Sequence, residues 1–120
     1  MLVKKRNVVK LTGNSKILSV STDVNCYYCN RKTRKNGGLT KDHIIPKILG
    51  GSNYSPNVVY CCYNCNQFKG NKMPQKWLEE INEYIKLQKR SERHDITTMG
   101  TIKKKLKLLL TNLNITDYLK

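Results

Sequence analysis

Two adjacent residues about one-third of the way along the chain, Asp42 and His43, carry the side chains best suited to metal and acid–base chemistry. Asp42 is the only acidic residue between Asp23 and Glu79, and His43 is one of two histidines. A carboxylate is a hard oxygen ligand for Mg²⁺, and an imidazole, which titrates near neutral pH, suits a general base. One carboxylate is too few for a typical two-metal site. The pair therefore predicts one metal ion, one base and a bound phosphodiester; the alternative is a surface pair at a strand end.

Four of the five cysteines form two Cys-x-x-Cys pairs, Cys26/Cys29 and Cys62/Cys65, with 32 residues between them. The two-residue gap lets a tight turn direct both sulfurs at one ion, and four thiolates suit tetrahedral Zn²⁺. The fifth cysteine, Cys61, precedes Cys62 in a predicted strand, where neighbouring side chains point to opposite faces, so we expect it not to be a ligand. Structural zinc is the favoured interpretation; disulfides and unliganded cysteines are the alternatives.

The positive charge of the chain is concentrated in its first two-thirds. The net charge is +15; residues 1–78 contain 14 Lys/Arg and two acids, and residues 79–120 contain nine Lys/Arg and six acids. A nearly unopposed positive field predicts a nucleic-acid partner. A membrane surface is the weaker alternative, because it would favour one amphipathic basic helix. A basic loop beside the first cysteine pair suits phosphate contacts: Arg31, Lys32, Arg34 and Lys35.

The length and composition predict one small domain. With 120 residues and 38% hydrophobic residues, the core is modest, so a metal would help to stabilise it. No apolar run approaches 18 residues and no secretory signal is evident, so we expect no membrane span and a cytoplasmic protein with reduced cysteines.

Two short strands and a helix are expected to position the chemical residues. We predict strands over residues 39–45 and 57–61, an open glycine-containing loop over 50–53, and a helix that starts near residue 62. In a regular strand Asp42 and His43 would point to opposite faces. Both can therefore reach one site only if the strand is distorted there or if the ion lies at its edge.

Helical periodicity predicts two further helices, over residues 75 to about 90 and 98 to 112, whose apolar stripes pack in the core. The chain thus divides into an N-terminal arm or short strands (1–25), a core (26–72) and a C-terminal helical extension (73–120). His94 is interpreted as a solvated linker residue. Four tyrosines are expected to pack around the zinc: Tyr27, Tyr28, Tyr60 and Tyr63.

Residues 24–72 resemble the HNH endonuclease family in its zinc-knuckle form. That pattern is a Cys-x-x-Cys, an Asp-His-x-x-Pro strand, a glycine loop, an Asn that opens a second strand, and a second Cys-x-x-Cys followed by His or Asn, with a Lys three residues on. Here these elements are Cys26/Cys29, Asp42-His43-Ile44-Ile45-Pro46, Gly50-Gly51, Asn57, Cys62/Cys65, Asn66 and Lys69. The family's name gives the final position as His, for which the Asn found here is a frequent alternative.

The resemblance implies an α+β fold: a zinc-stapled ββα-metal core with added C-terminal helices. It also implies a metal-dependent endonuclease that cuts or nicks DNA, like small free-standing members from phages and mobile elements. By position, His43 would activate water, Asp42 and Asn66 would bind Mg²⁺ or Mn²⁺, Asn57 would orient His43 or its loop, and Lys69 would contact phosphate. The C-terminal helices would add DNA contacts or a homodimer interface.

Other interpretations of these residues stay open. Asn57 could be a turn cap after Pro56, and Asn66 a helix cap beside the zinc knuckle. For the whole chain, the rival from another class is a non-catalytic zinc-ribbon module that binds nucleic acid. A third alternative is an RNase on the same site.

Overall fold

The computed structural model describes residues 23–34 and 38–120. The predicted arm over residues 1–25 therefore lies outside the described residues except for its last three, as does Lys35. The described elements are β1 (Asp23–Asn25), β2 (Lys32–Arg34), β3 (Leu39–His43), β4 (Val58–Cys62), α1 (Tyr63–Lys69), α2 (Pro74–Lys86) and α3 (Ile96–Asn112), with 3₁₀ turns at Lys47–Leu49 and Ile115–Tyr118.

Two antiparallel hairpins and the helix α1 carry the two cysteine pairs. Strands β1 and β2 pair with Asn25 opposite Lys32 and enclose the turn that contains the first cysteine pair. Strands β3 and β4 pair with Asp42 opposite Val59 and His43 opposite Val58, and α1 follows β4 directly. The predicted ββα core and α+β fold are confirmed.

Strand β3 is two residues shorter than predicted, because a side chain takes over its hydrogen bonding. The Asn57 amide accepts from the Ile45 backbone N–H at 2.8 Å and donates to the Ile45 carbonyl at 3.0 Å. Backbone groups that a strand would pair with its neighbour are thus satisfied by an amide. The strand ends at His43, and this end lies beside the catalytic candidates.

The two long helices begin and end where local signals direct. Pro74 occupies the first turn of α2, and Gln88, with φ of 52°, reverses the chain after Lys86, so α2 is shorter than the predicted helix. The Asp95 side chain accepts from Thr98 N at 2.8 Å and caps α3, which starts two residues earlier than predicted.

One continuous core joins the cysteines to the helices. Trp77 of α2 is fully buried, with its ring centroid 5.0 Å from that of Tyr28 and 5.6 Å from that of Phe68, both edge-on. Ile102 and Leu106 of α3 complete this core. The C-terminal helices therefore buttress the zinc-knuckle region. Within the described residues, none of the helices is both long and apolar enough to cross a membrane.

Candidate functional site

The four predicted zinc ligands converge on one point. The sulfurs of Cys26, Cys29, Cys62 and Cys65 all lie within 4.8 Å of one another. The Cys29 and Cys62 sulfurs are 3.8 Å apart, which is about the sulfur–sulfur distance of a tetrahedral site with Zn–S bonds of about 2.3 Å. The donor set and its spacing fit a Zn²⁺ ion.

Backbone N–H groups donate hydrogen bonds to two of these sulfurs. The N–H groups of Tyr28 and Cys29 donate to Cys26 Sγ at 3.4 Å, and the N–H of Cys65 donates to Cys62 Sγ at 3.4 Å. Such bonds stabilise a thiolate, and they arise because each two-residue gap folds into a tight turn.

The four thiols also perturb one another's ionisation. The hydrogen bond between Cys26 and Cys29 lowers the pKa of Cys26 to about 6. The same cluster, with Cys26 as the main cause, raises the pKa values of Cys29 and Cys65. Four thiolates therefore do not coexist here without a cation. Metal binding must displace the remaining protons, so zinc affinity is expected to fall as the pH is lowered.

His94 also contacts the cysteine cluster, so its interpretation as a solvated linker residue is wrong. Its side chain is buried, its Nε2 lies 3.4 Å from Cys65 Sγ, and its ring stacks on Phe68 with centroids 5.4 Å apart. The imidazole nitrogen is thus within hydrogen-bond distance of the sulfur of a predicted zinc ligand. The connection between α2 and α3 thus reaches back to the zinc ligands.

Cys61 lies apart from the cluster, as predicted. It is fully buried next to Thr40, whose Oγ1 is 3.9 Å from its sulfur. Burial raises the pKa of Cys61 to about 12, so this side chain remains a neutral thiol.

An open pocket of about 450 Å³ lies at the end of β3. Asp42 and His43 from β3 and Asn66 from α1 all line it, together with the exposed lysines Lys41 and Lys47. The pocket is therefore a polar cleft with a basic rim, and it brings together the three residues predicted to act on a phosphodiester.

Asp42 is held in place by two partners at a single carboxylate oxygen. Its Oδ2 accepts a hydrogen bond from the Tyr28 hydroxyl at 2.5 Å and lies 3.4 Å from Lys69 Nζ. Burial, together with the negative charge of Asp42, raises the pKa of Tyr28 well above its usual value, so the phenol keeps the proton that it donates. The carboxylate is thus oriented before any ligand binds.

Lys69 does not make the predicted phosphate contact. Its side chain is 0% exposed, and its amino group donates to the His43 carbonyl at 3.0 Å as well as facing Asp42. Burial lowers the pKa of this amino group, and the charge of Asp42 opposes the shift. Lys69 therefore fixes the Asp42–His43 segment from beneath, which is a positioning role.

Replacing Lys69 by methionine is expected to destabilise the zinc-loaded protein by about 3–5 kcal/mol, because it leaves a buried carboxylate without its counter-ion. Lys72→Met is the matched control. Lys72 pairs with Glu80 at 3.1 Å, but both side chains are about one-third exposed, so its removal should cost about 1 kcal/mol. Denaturant unfolding of both variants measures the difference. Equal destabilisation would show that the buried pair contributes no more than the surface pair.

Asn66 presents its amide oxygen as the atom that remains for a ligand. Its Nδ2 donates to Thr40 Oγ1 at 2.8 Å and points to the Lys41 carbonyl at 3.3 Å. With the nitrogen anchored to β3, an oxygen from Asn66 and an oxygen from Asp42 offer the hard donors that Mg²⁺ and Mn²⁺ prefer. The residues present therefore fit a divalent ion of this type.

His43 is half-buried, and its ring contacts the loop after the 3₁₀ turn: His43 Nε2 lies 3.0 Å from Asn53 Oδ1. Asn57, in contrast, does not bond to the imidazole. Asn57 is fully buried, bonds to the backbone of Ile45, and donates from its Nδ2 to the Ser52 carbonyl at 2.8 Å. Of the two roles predicted for Asn57, the geometry fits the one that orients the loop.

The predicted nucleic-acid contacts beside the first cysteine pair are exposed where they are described. Arg31 and Lys32 are exposed, only the backbone of Arg34 is described, and Lys35 lies outside the described residues. The predicted basic loop is partly a strand, because Lys32 and Arg34 belong to β2. The prediction that Tyr60 and Tyr63 pack around the zinc is wrong, since their exposed fractions are 55% and 56%.

The chain has a ββα unit, a four-cysteine cluster and an Asp-His pair in a polar cleft. This combination agrees with the result of a comparison with known protein families. The family model described as HNH endonuclease matches residues 26–82. Over these residues the chain is similar to the HNH endonuclease family, and the four-cysteine cluster is consistent with that similarity. The match extends into α2, whose Trp77 packs against the knuckle residue Tyr28. No curated protein and no solved structure matches the chain significantly.

Proposed function

We propose that the chain is a metal-dependent endonuclease that hydrolyses phosphodiester bonds in DNA. The observation that carries this proposal is the convergence of Asp42, His43 and Asn66 on one pocket from two different elements. A zinc-ribbon binding module needs the cysteines and the positive charge, but it has no use for an oriented carboxylate, an imidazole and an amide oxygen at a single cleft.

His43 acts in this proposal as the general base. Its imidazole accepts a proton from the attacking water as the new oxygen–phosphorus bond forms. The bond from phosphorus to the 3′ oxygen breaks, and the departing oxygen takes a proton from solvent water. The products are a 5′-phosphate and a 3′-hydroxyl. A bound Mg²⁺ or Mn²⁺, held by Asp42 and Asn66, would supply positive charge for the phosphate and the departing oxygen. Lys69 and Tyr28 keep the Asp42 carboxylate in place through their contacts with its Oδ2.

The proposal is tested by incubating the zinc-loaded protein with supercoiled plasmid, single-stranded DNA and structured RNA, in Mg²⁺ or Mn²⁺ and after removal of free divalent ions. We expect cleavage of the DNA only with the metal, and recovery when Mg²⁺ is returned. Preferential cleavage of RNA would show that RNA, and not DNA, is the substrate. Tight binding without cleavage of any of the three would favour the zinc-ribbon module.

Binding is expected to depend on the basic loop beside the first cysteine pair. Alanine at all four of its positions should reduce the slope of log affinity against log salt by about 0.9 for each phosphate that the protein no longer neutralises: Arg31, Lys32, Arg34 and Lys35. The control removes four exposed positive charges on α2 and just after it: Lys76, Lys86, Lys89 and Arg90.

The two variants differ from the wild type by the same net charge, so a difference between their slopes reports location. The loop variant should have the flatter salt dependence in a binding titration without divalent metal. An unchanged slope for the loop variant, or equal changes in both variants, would show that this loop does not contact the nucleic-acid backbone.

A further inference from the structure

The loop that follows the 3₁₀ turn at Lys47–Leu49 contacts His43 directly. Asn53, an exposed residue of this loop, has its Oδ1 at 3.0 Å from His43 Nε2. Because an amide oxygen can only accept, this contact is a hydrogen bond when the proton is on Nε2, and in that tautomer the Nδ1 has the free electron pair. Asn53 would thereby select which ring nitrogen of His43 can accept a proton from water.

The loop is held rigidly from the side of the core. The Asn57 amide donates to the Ser52 carbonyl at 2.8 Å and to the Ile45 carbonyl at 3.0 Å. A Cβ at Gly51 would lie 1.7 Å from the Ile45 carbonyl oxygen, so only glycine allows this close approach. Asn53 therefore projects from a backbone that has little room to shift.

The C-terminal residues hold the same loop from its other side. Leu119 forms an antiparallel bridge with Gly51. Two backbone hydrogen bonds accompany the bridge: Ser52 N donates to the Tyr118 carbonyl at 2.9 Å, and Lys120 N donates to the Gly50 carbonyl at 3.0 Å. Residues 118–120 thus act as a short added strand along the loop that carries Asn53.

We propose that Asn53 is a positioning residue for His43, and that residues 118–120 form a strap that keeps Asn53 in place. This inference rests on the proposed function, in which His43 is the general base. The strap connects the end of α3 to the catalytic loop. It gives the C-terminal part of the chain a role in the reaction, in addition to its packing against the knuckle.

The first test compares Asn53→Ala, Asn53→Asp and Asn82→Ala in cleavage and binding assays. Asn53→Ala should lower kcat about 10- to 100-fold, by analogy with the hydrogen-bonding partners of metal-ligating histidines, with little change in KM. Asn53→Asp retains an acceptor oxygen and should recover part of the activity. Asn82 is exposed on α2, and its variant should match the wild type. A wild-type kcat for Asn53→Ala, with His43→Ala inactive, would overturn the inference and leave the proposed function intact.

The second test reads the histidine itself and needs no activity. Long-range ¹H–¹⁵N spectra show which nitrogen of each imidazole carries the proton, and the chain has only two histidines, so His94 serves as an internal reference. We expect the Nε2–H form of His43 in the wild type and a detectable Nδ1–H fraction in Asn53→Ala and in a variant that lacks residues 118–120. The deletion is uninformative if it also changes the His94 signal, which would indicate a wider disturbance. Lys120→Pro, which removes only the N–H that donates to the Gly50 carbonyl, is then used in its place.

An Nδ1–H form of His43 in the wild type, or identical spectra in all these proteins, would overturn the inference. If the wild type cleaves no nucleic acid, the proposed function fails, whereas these spectra still decide whether Asn53 and the C-terminal strap orient His43.

Discussion

Cys29→Ser is expected to lose both its zinc and its cooperative fold. Cys29 is one of four thiols within 4.8 Å of one another, and structural zinc supplies about 10 kcal/mol or more of folding free energy in small zinc domains. That is comparable with the whole stability of a typical domain, about 5–15 kcal/mol. Because the cysteines and the apolar faces of α2 and α3 share one core, the helices should also lose their packing.

The matched control for this prediction is Cys61→Ser. Cys61 is buried but lies outside the cluster, with its sulfur near Thr40 Oγ1. A hydroxyl at this position should cost about 1–3 kcal/mol and leave one zinc per chain. Elemental analysis and thermal unfolding followed by circular dichroism distinguish the two variants. Zinc-free Cys29→Ser protein with a wild-type unfolding transition would show that zinc does not hold this fold.

Features with a short sequence range could be predicted well. The cysteine spacing predicts the knuckles, since a two-residue gap leaves few turn geometries. The β-branched and aromatic residues predict β4, and helical periodicity predicts the two long helices, whose apolar stripes are buried. The position of Cys61 away from the cluster follows from the alternation of side chains along a strand. The resemblance to the HNH family adds the order of these elements and the expected roles of Asp42, His43 and Asn66.

Features that depend on distant contacts could not be predicted in this way. A lysine in a basic chain suggests an exposed phosphate contact, but Lys69 is buried, because Asp42 and the His43 carbonyl, which belong to a different element, provide its partners. His94 stands among charged residues that suggest solvent, yet the pairing of α2 with α3 brings it to Cys65.

The loop that carries Asn53 illustrates the same limit. Glycines and small polar residues over 50–53 predict an open loop, and nothing local indicates that it binds Asn57 and the C-terminal residues. The pairing of Gly51 with Leu119 joins positions 68 residues apart. This pairing uses backbone groups, so no side-chain pattern in the sequence indicates it.

His43→Ala is expected to remove most cleavage, since a positioned base contributes about 10²–10⁴-fold to the rate. The variant should still fold, because His43 is half-buried and is not a zinc ligand. It should also bind DNA almost as the wild type does, because the substitution removes no Lys or Arg. Asp42→Asn should differ: it weakens a metal ligand, so part of its activity should be recovered at high Mg²⁺ or Mn²⁺.

The most direct measurement is single-turnover cleavage of supercoiled plasmid in Mg²⁺ by zinc-loaded wild-type and His43→Ala proteins, at concentrations that saturate the DNA. Equal zinc contents and equal DNA occupancy restrict the comparison to the chemical step. We predict metal-dependent cleavage by the wild type and a rate at least about 100-fold lower for His43→Ala. Cleavage by His43→Ala at the wild-type rate would contradict the assignment of His43 as the base and leave a zinc-ribbon binding module as the better description of the chain.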